Sequence, residues 1–438
     1  MKTYLRTKSN IKHTLIALSA AVASAFSVVA GDLTADRLDI GINHSFPAGS
    51  AYSSIAGGVS NVLIGSYSVI GGGYSNSVTE DFSFIGGGVG NTNLSEESFI
   101  GGGIYNRQNC EYGVIGGGEF NTNLGFYASI VGGAYNLIWT NGLSDAQSSI
   151  GNSDFIGGGT GNVDRGNHSS IVGGSLNQAW GDQQIIGGGA GNRTEIRADL
   201  CAILGGTANL IGSNGVAAII CGGSGNLNSS PYGFIGGGTY NALYGNQDDE
   251  TGEWSTISGG FGNLLTNVSY ASIGGGLGNV GTADLVTIPG GSGASATHYG
   301  QQVYASGGFA NVGGTAQTST HVLRGTTTTS TLTELFLDGA GARMTIASGS
   351  SWTYDILVVA RSSGGNTAGY QLLGVIENNS GTTSLIGSGV KTVLGEDVSS
   401  WDVAVSADDT NDALVVKVAG DTSTIRWVAT VRTAEVAQ

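Results

Sequence analysis

A nine-residue signature returns at a step of fifteen residues through much of this chain, and that regularity limits the fold more than any single motif does. SSIAGGVSN (53–61), SVIGGGYSN (68–76), SFIGGGVGN (83–91), SFIGGGIYN (98–106), GVIGGGEFN (113–121) and ASIVGGAYN (128–136) align without a gap. Their last residues are Asn61, Asn76, Asn91, Asn106, Asn121 and Asn136. The series continues at Asn162, Asn177, Asn192, Asn209, Asn226, Asn241, Asn263 and Asn279. A degenerate copy puts Ala294 in the asparagine slot, and YASGGFAN closes the run at Asn311, the sixteenth copy.

Each slot has a physical role. Six residues before the asparagine stands isoleucine in fifteen copies, from Ile55 to Ile288, and Ala305 in the last. Two residues earlier most copies carry a small side chain, such as Ser53, Ser68, Ser83, Ser98, Gly113 or Ala128. Residues two apart on an extended strand share a face. The small residue and the isoleucine therefore point inward, so that Ile70, Ile85, Ile100 and Ile115 stack from coil to coil. The residue between them (Val69, Phe84, Phe99, Val114) points out and is often apolar too. A solenoid with two apolar faces calls for a neighbour.

A glycine pair precedes every asparagine, as in Gly72–Gly73 and Gly102–Gly103. One glycine per copy serves a turn with positive φ; two or three in a row point to close approach of another backbone, at an axis shared between chains. The asparagines form a structural ladder of stacked amides along one edge, among them Asn76, Asn91, Asn106 and Asn121, rather than a binding row. Fifteen extended residues make a narrow coil of two short strands and two corners, stacked at about 4.8 Å, so sixteen coils give a rod of roughly 75 Å.

Two departures from the period mark loops. The step from Asn136 to Asn162 carries LIWTNGLSDAQ with Trp139, and the step from Asn241 to Asn263 carries YGNQDDETGEW with Trp254. Insertions in a solenoid fall on its outer surface, which makes Trp139 and Trp254 the candidate contact-loop residues.

The flanking segments set the compartment. Lys2, Arg6, Lys8 and Lys12, an apolar run from Thr14 to Phe26, and the small residues Val28 and Ala30 read as a signal peptide over 1–30, cleaved before Gly31. The apolar run is short for a membrane span of ~20 residues, and no later segment is long enough. The net charge of −16 becomes more negative by those four lysines and arginines on cleavage, which excludes a phosphate-neutralising nucleic-acid surface. Three cysteines, Cys110, Cys201 and Cys221, are an odd number for a secreted chain and read as free thiols rather than a disulfide framework. With 79 glycines but only 3 prolines and no three-residue period, the chain is not collagen.

On the small-x-Ile-x-Gly-Gly-x-x-Asn coil, residues 40–312 resemble the head repeats of trimeric autotransporter adhesins. That resemblance implies a left-handed parallel β-roll, a homotrimer, an extracellular or bacterial cell-surface location, and adhesion to a host-surface or glycan ligand. The chain departs from those adhesins in having no heptad stalk and in ending TIRWVATVRTAEVAQ, with no aromatic-terminated anchor. From about Thr320 the segments LDGAGARMTIASGSSWTYDILVVARS, AGYQLLGVIENN, KTVLGEDVSSWDVAVSADDTNDALVVKVAG and TIRWVATVRTAEV resemble a domain at the ends of bacteriophage tail fibres. By their own alternation they are seven or eight antiparallel strands of a β-sandwich, with Gly364–Gly365 and Asn378–Asn379 at turns and Trp352, Trp401 and Trp427 as anchors.

Chemistry is sparse. Acids occur singly in the coils, the densest group being Asp248, Asp249, Glu250 and Glu253 on one insert. His44, His168, His298 and His321 stand apart, and no Ser-His-Asp grouping emerges. Gly276, Gly278 and Gly281 match GxGxxG without the strand–helix setting it needs. Asp408, Asp409 and Asp412 read as a hairpin turn before a cation site. No catalytic, cofactor or metal residues are assigned. The expected order is a signal peptide (1–30), an N-terminal cap (31–52), the all-β glycine-rich solenoid (53–312), a Thr/Ser-rich linker (313–330) and a β-sandwich (331–438). The functional expectation is a secreted, non-catalytic trimeric surface fibre with an adhesive or receptor-binding role; the alternatives are a structural filament, a surface-layer component, or a phage tail-fibre-type protein.

Overall fold

The computed structural model describes residues 37–47, 50–139, 153–245 and 252–438. The segment read as a signal peptide, and most of both long inserts, lie outside the described residues. The chain divides into two compact units, up to Thr207 and Ala208–Gln438.

The first unit is a parallel β-solenoid whose coils follow the fifteen-residue step. Each coil contributes a two-residue strand at the isoleucine slot, such as Val69–Ile70 or Phe84–Ile85, paired in register with the same slot of the next coil. A second strand follows the asparagine, as in Ser77–Val78 and Thr92–Asn93. Between them a single-residue bridge, Tyr74 to Val89, adds a third point of pairing that two strands and two corners did not anticipate. The expected cap is itself part of the stack, because Arg37–Asp39 pairs in parallel with Ser53–Ile55.

Strand pairs this short hold only because every neighbour repeats them. Ile55, Ile70, Ile85, Ile100, Ile115, Ile130, Ile156, Ile171 and Ile186 form one continuous buried column. Each buried isoleucine contributes roughly 1.5–3 kcal/mol relative to exposure. Ser53, Ser68, Ser83 and Ser98 are buried beside it, as the two-residue spacing requires. A third inward column lies two residues after each asparagine, and it is chemically mixed: Leu63, Val78, Asn93, Gln108, Asn123, Ile138, Asp164, Ala179 and Thr194 are all buried.

The glycines answer to the chain's own next coil. A Cβ on Gly73 would stand 2.1 Å from the Gly88 carbonyl oxygen, and one on Gly71 would stand 2.3 Å from that of Gly86. Stacking within one chain, not a shared axis, accounts for those two positions. The middle glycine differs, since a Cβ on Gly72 would meet nothing nearer than 3.8 Å.

The second unit carries further coils, from Leu210–Ile211 to Ser295–Ala296, with the same two strand stacks. The strand Gln302–Ser306 then pairs in parallel with the last coil and antiparallel with Ala316–Thr327. The sixteenth copy is thus the transition from solenoid to antiparallel sheet. The span 313–330, expected to be a linker, is corrected here: its core is a twelve-residue strand bonded along its length to Ile425–Ala437. That pair continues through Ser350–Ser362, Thr367–Asn379 and Thr382–Glu396. A smaller sheet has Ala413–Ala419 at its centre, paired with Asp402–Asp408 on one side and with Thr333–Glu334 and Met344–Thr345 on the other. Both sheets supply one core, in which Trp352, Trp401 and Trp427 are buried. The hairpin after Thr367–Asn379 turns at Ser380–Gly381, both at positive φ, one step beyond the expected Asn378–Asn379.

Candidate functional site

The asparagines lie inside the coil rather than along an edge, and Asn76, Asn91, Asn106 and Asn121 are fully buried. Asn91 shows the repeated geometry. Its Nδ2 donates to Asn76 Oδ1 at 3.1 Å, to the Gly87 carbonyl at 2.9 Å and to the Gly103 carbonyl at 2.9 Å. Its Oδ1 accepts from the Asn106 backbone N–H at 3.0 Å. Every polar atom of the amide is used internally, which leaves nothing to offer a ligand. The ladder stops where Ala294 takes the slot and only its N–H reaches Asn279 Oδ1.

Outside the coil, two corner columns carry aromatic residues with left-handed backbones. Tyr52, Tyr67 and Phe82 stack at centroid distances of 4.9 and 5.0 Å, and Tyr105, Phe120 and Tyr135 at 5.3 and 5.0 Å. Positive φ costs an aromatic residue roughly 1–2 kcal/mol, and ring stacking returns about 0.5–1.5 kcal/mol per pair. These rings remain about half exposed, Tyr67 at 52% and Tyr135 at 57%.

The two expected contact residues sit in separate units. Trp254 is half exposed and stacks on Tyr232 at 4.1 Å, with its indole N–H donating to Glu253 Oε2 at 3.2 Å. Residues 246–251 of its insert, including Asp248, Asp249 and Glu250, lie outside the described residues. Trp139, likewise exposed, is followed by undescribed residues 140–152. It belongs to a column the sequence reading missed: Trp139, Arg165 and Trp180 all stand three residues after an asparagine. The Arg165 guanidinium lies 5.7 Å from the Trp139 ring and 5.1 Å from the Trp180 ring, and Arg193 lies 4.0 Å from Trp180. Flat groups one strand spacing apart stack in this way, and the planar guanidinium suits the slot better than lysine. Numbering by coil slot instead of by insert would have exposed the column.

Three further residue groups depart from or refine the expectation. His298 and His321, expected apart, are 5.5 Å between ring centroids and both abut Trp352. His298 Nε2–H donates to the Thr345 carbonyl at 2.9 Å, while both nitrogens of His321 are buried without a partner. Burial, reinforced by the neighbouring His298, drives the His321 pKa down to about 3, so it is neutral. Cys110, Cys201 and Cys221 are free; burial pushes the Cys110 and Cys201 thiols up to about 12, which removes their nucleophilic form. Asp408 accepts from the Thr410 and Asn411 N–H groups and closes the hairpin, while Asp409 accepts from the Thr383 N–H and ties that turn to the strand Thr382–Glu396.

The architecture defines a class: a parallel β-solenoid repeat protein that continues into an antiparallel β-sheet region. No family model matches the chain, and no curated protein matches it. Among solved structures, the crystal structure of the Acinetobacter phage vB_ApiP_P1 tailspike protein aligns over 92% of this chain and 81% of that chain, with a TM-score of 0.25 and 9% identity. A likeness at that level carries no functional argument.

Proposed function

We propose that this chain is an exported, non-catalytic surface fibre with an adhesive or receptor-binding role, working as a homotrimer. The observation that carries the reading is the pair of exposed, stacked aromatic columns on a coil whose interior polar groups are already satisfied. A scaffold that keeps its buried amides for itself and presents aromatic rows outward is built to be touched along its length. Partly exposed aromatic ladders of this kind also suit close packing between copies of the chain. The expected signal peptide directs the chain outward, and the acidic balance keeps an exposed array from aggregating.

Light scattering on the full chain after size-exclusion chromatography tests the assembly. A mass near three times the chain's 44.0 kDa supports the trimeric fibre. A single-chain mass removes the trimer. Adhesion is tested separately, by whether beads coated with the protein attach to cell or glycan surfaces.

A further inference from the structure

We propose that the first unit carries a binding pocket for a neutral saccharide, formed where one coil corner is lengthened beside the Trp139–Arg165–Trp180 column. This rests on the adhesive reading and gives it a site and a ligand class. The pocket exists because the coil that follows Asn192 departs from the period. Asn209 comes seventeen residues later instead of fifteen, and the surplus falls in the corner 195–201. That corner holds two left-handed residues, Arg197 and Leu200. With residues of the two preceding corners, Arg165 and Asn167 and then Trp180–Asp182, it lines a cavity of about 380 Å3 that is open to solvent on one side. The volume lies at the low end of the ~300–1,000 Å3 range of small-ligand sites and takes roughly one or two sugar rings.

Its lining points to the ligand. Arg165, Arg197, Asp182 and Asp199 line the cavity together with Asn167, Trp180, Gly181 and Ile196. Two guanidinium groups and two carboxylates cancel, so the pocket selects for no net charge. It presents fixed acceptors and fixed donors around an apolar indole and isoleucine, the complement of a ring with hydroxyls on its rim and C–H groups on its faces.

The lining is held in place by contacts independent of any ligand. Asp199 Oδ1 accepts from the Asp182 N–H at 2.9 Å, and Asp182 Oδ1 accepts from Asn167 Nδ2 at 3.1 Å. Trp180 is fixed between Arg165 and Arg193, and Arg193 is tied to Glu195 at 3.1 Å. Trp180 Nε1 and Asn167 Oδ1, buried in the wall, have no partner within the protein, which leaves a donor and an acceptor in the wall unused. The other described corners of the first unit carry Tyr52, Tyr67, Phe82, Glu97, Tyr112, Tyr127, His168 or Gln183 at the left-handed outward position, and have neither the two extra residues nor the paired arginines.

Saturation-transfer NMR on the full chain, with D-galactose, L-rhamnose, N-acetyl-D-glucosamine and D-glucuronate as probes, tests the proposal. Wild-type protein is expected to bind at least one neutral sugar and to prefer it to glucuronate. Arg197→Gln and Asp199→Asn, which keep the corner's backbone contacts, are each expected to weaken that binding about tenfold or more, with unchanged melting temperature. Binding of a sugar that survives both substitutions overturns this site while leaving the adhesive reading standing. A preference for glucuronate overturns the neutral-ligand assignment, and absence of binding to all four sugars overturns the pocket. Bead attachment to cells, measured on the same preparations, shows separately whether adhesion itself fails.

Discussion

The third inward column shows how much one side chain decides at a buried position. Where that column holds asparagine, the amide does two jobs. Asn123 Oδ1 accepts from the Gly125 N–H at 3.1 Å, and its Nδ2 donates to the Ala128 carbonyl at 2.8 Å. Asp164 keeps the first bond, accepting from Gly166 at 3.2 Å, but its Oδ2 is buried with no partner. Asp154, in the small-residue slot two before Ile156, also leaves Oδ2 unpaired, and each aspartate lies within 1% of full burial. Burial raises both carboxyls, and the Asp164 charge raises Asp154 further, so this pair resists ionisation. An acid whose folded pKa is raised costs nothing below its unfolded value and costs progressively more as pH climbs toward the folded one. Asp164→Asn restores the missing donor and removes the charge. It is expected to stabilise the protein by about 1–3 kcal/mol at neutral and alkaline pH and by little below about pH 4. Denaturant midpoints across that range check this; a midpoint lowered at neutral pH would show that the aspartate is matched by something the asparagine cannot replace.

At the scale of the coil, asparagine and glycine act together. Asn106→Ala leaves the Asn121 N–H and the Gly102 and Gly118 carbonyls short of a partner, at a cost of about 2–4 kcal/mol. Asn106→Asp is expected to cost more at neutral pH, because a carboxylate then faces those two carbonyls. Adjacent glycines separate cleanly. Gly103→Ala, at φ +96° with its Cβ 2.1 Å from the Gly118 oxygen, is expected to prevent accumulation of folded protein. Gly102→Ala escapes that clash, its nearest neighbour being 3.7 Å away, but keeps the strain of φ +156° and is expected to fold with a loss of about 1–3 kcal/mol. Circular dichroism melts of the purified asparagine variants decide the first comparison, and the soluble folded yield of Gly103→Ala against that of Gly102→Ala decides the second. This level of structure was readable in advance where a slot repeats one residue type: isoleucine inside, glycine at the crowded turn, asparagine once per coil. The column holding Leu63, Asn93, Gln108 and Asp164 was not, because its members share a direction but no chemistry. The strand Ala316–Thr327 was missed for another reason. Its threonines read locally as a linker, and the partner that makes them a strand, Ile425–Ala437, lies about a hundred residues away. Trp139 stands out in the sequence by its insert, whereas Trp180 in the same column interrupts no period and carries no such signal.

The aspartates and histidines with shifted pKa values sort by unit, and the sorting predicts opposite responses to pH between mild acid and mild alkali. Among the described residues of the first unit, every aspartate with a shifted pKa, Asp39, Asp154 and Asp164, is raised, with burial the largest cause. In the second, Asp338 is held down at about 2 by the N–H groups of Gly341, Ala342 and Ala340. Asp408 is lowered mainly by Asn411, and Asp421 by Ser423 and Trp401. Burial lowers His298 and His321 in the same unit. The signs follow from linkage. A raised carboxyl destabilises its unit as pH rises above the unfolded value near 4. A lowered carboxyl gives stability that is lost as pH falls through its folded value, and a lowered histidine does the same below about 6.5. Each group that changes its protonation between the folded and unfolded states contributes up to about 1.4 kcal/mol per pH unit within its window, and fully exposed groups such as Asp338 count for far less than buried His321. Acid should therefore open the second unit first and alkali the first unit. Hydrogen exchange read by mass spectrometry at about pH 4 and about pH 9, corrected for intrinsic rates, separates the two, because the peptides around His321 and around Asp154 report on different units. Loss of protection around His321 in acid with Asp154 protected, and the reverse in alkali, is the expected result. Protection lost around Asp154 in acid would mean that carboxylates of the first unit are held ionised after all, and an acid response of the second unit left unchanged by His321→Phe would remove His321 as its cause.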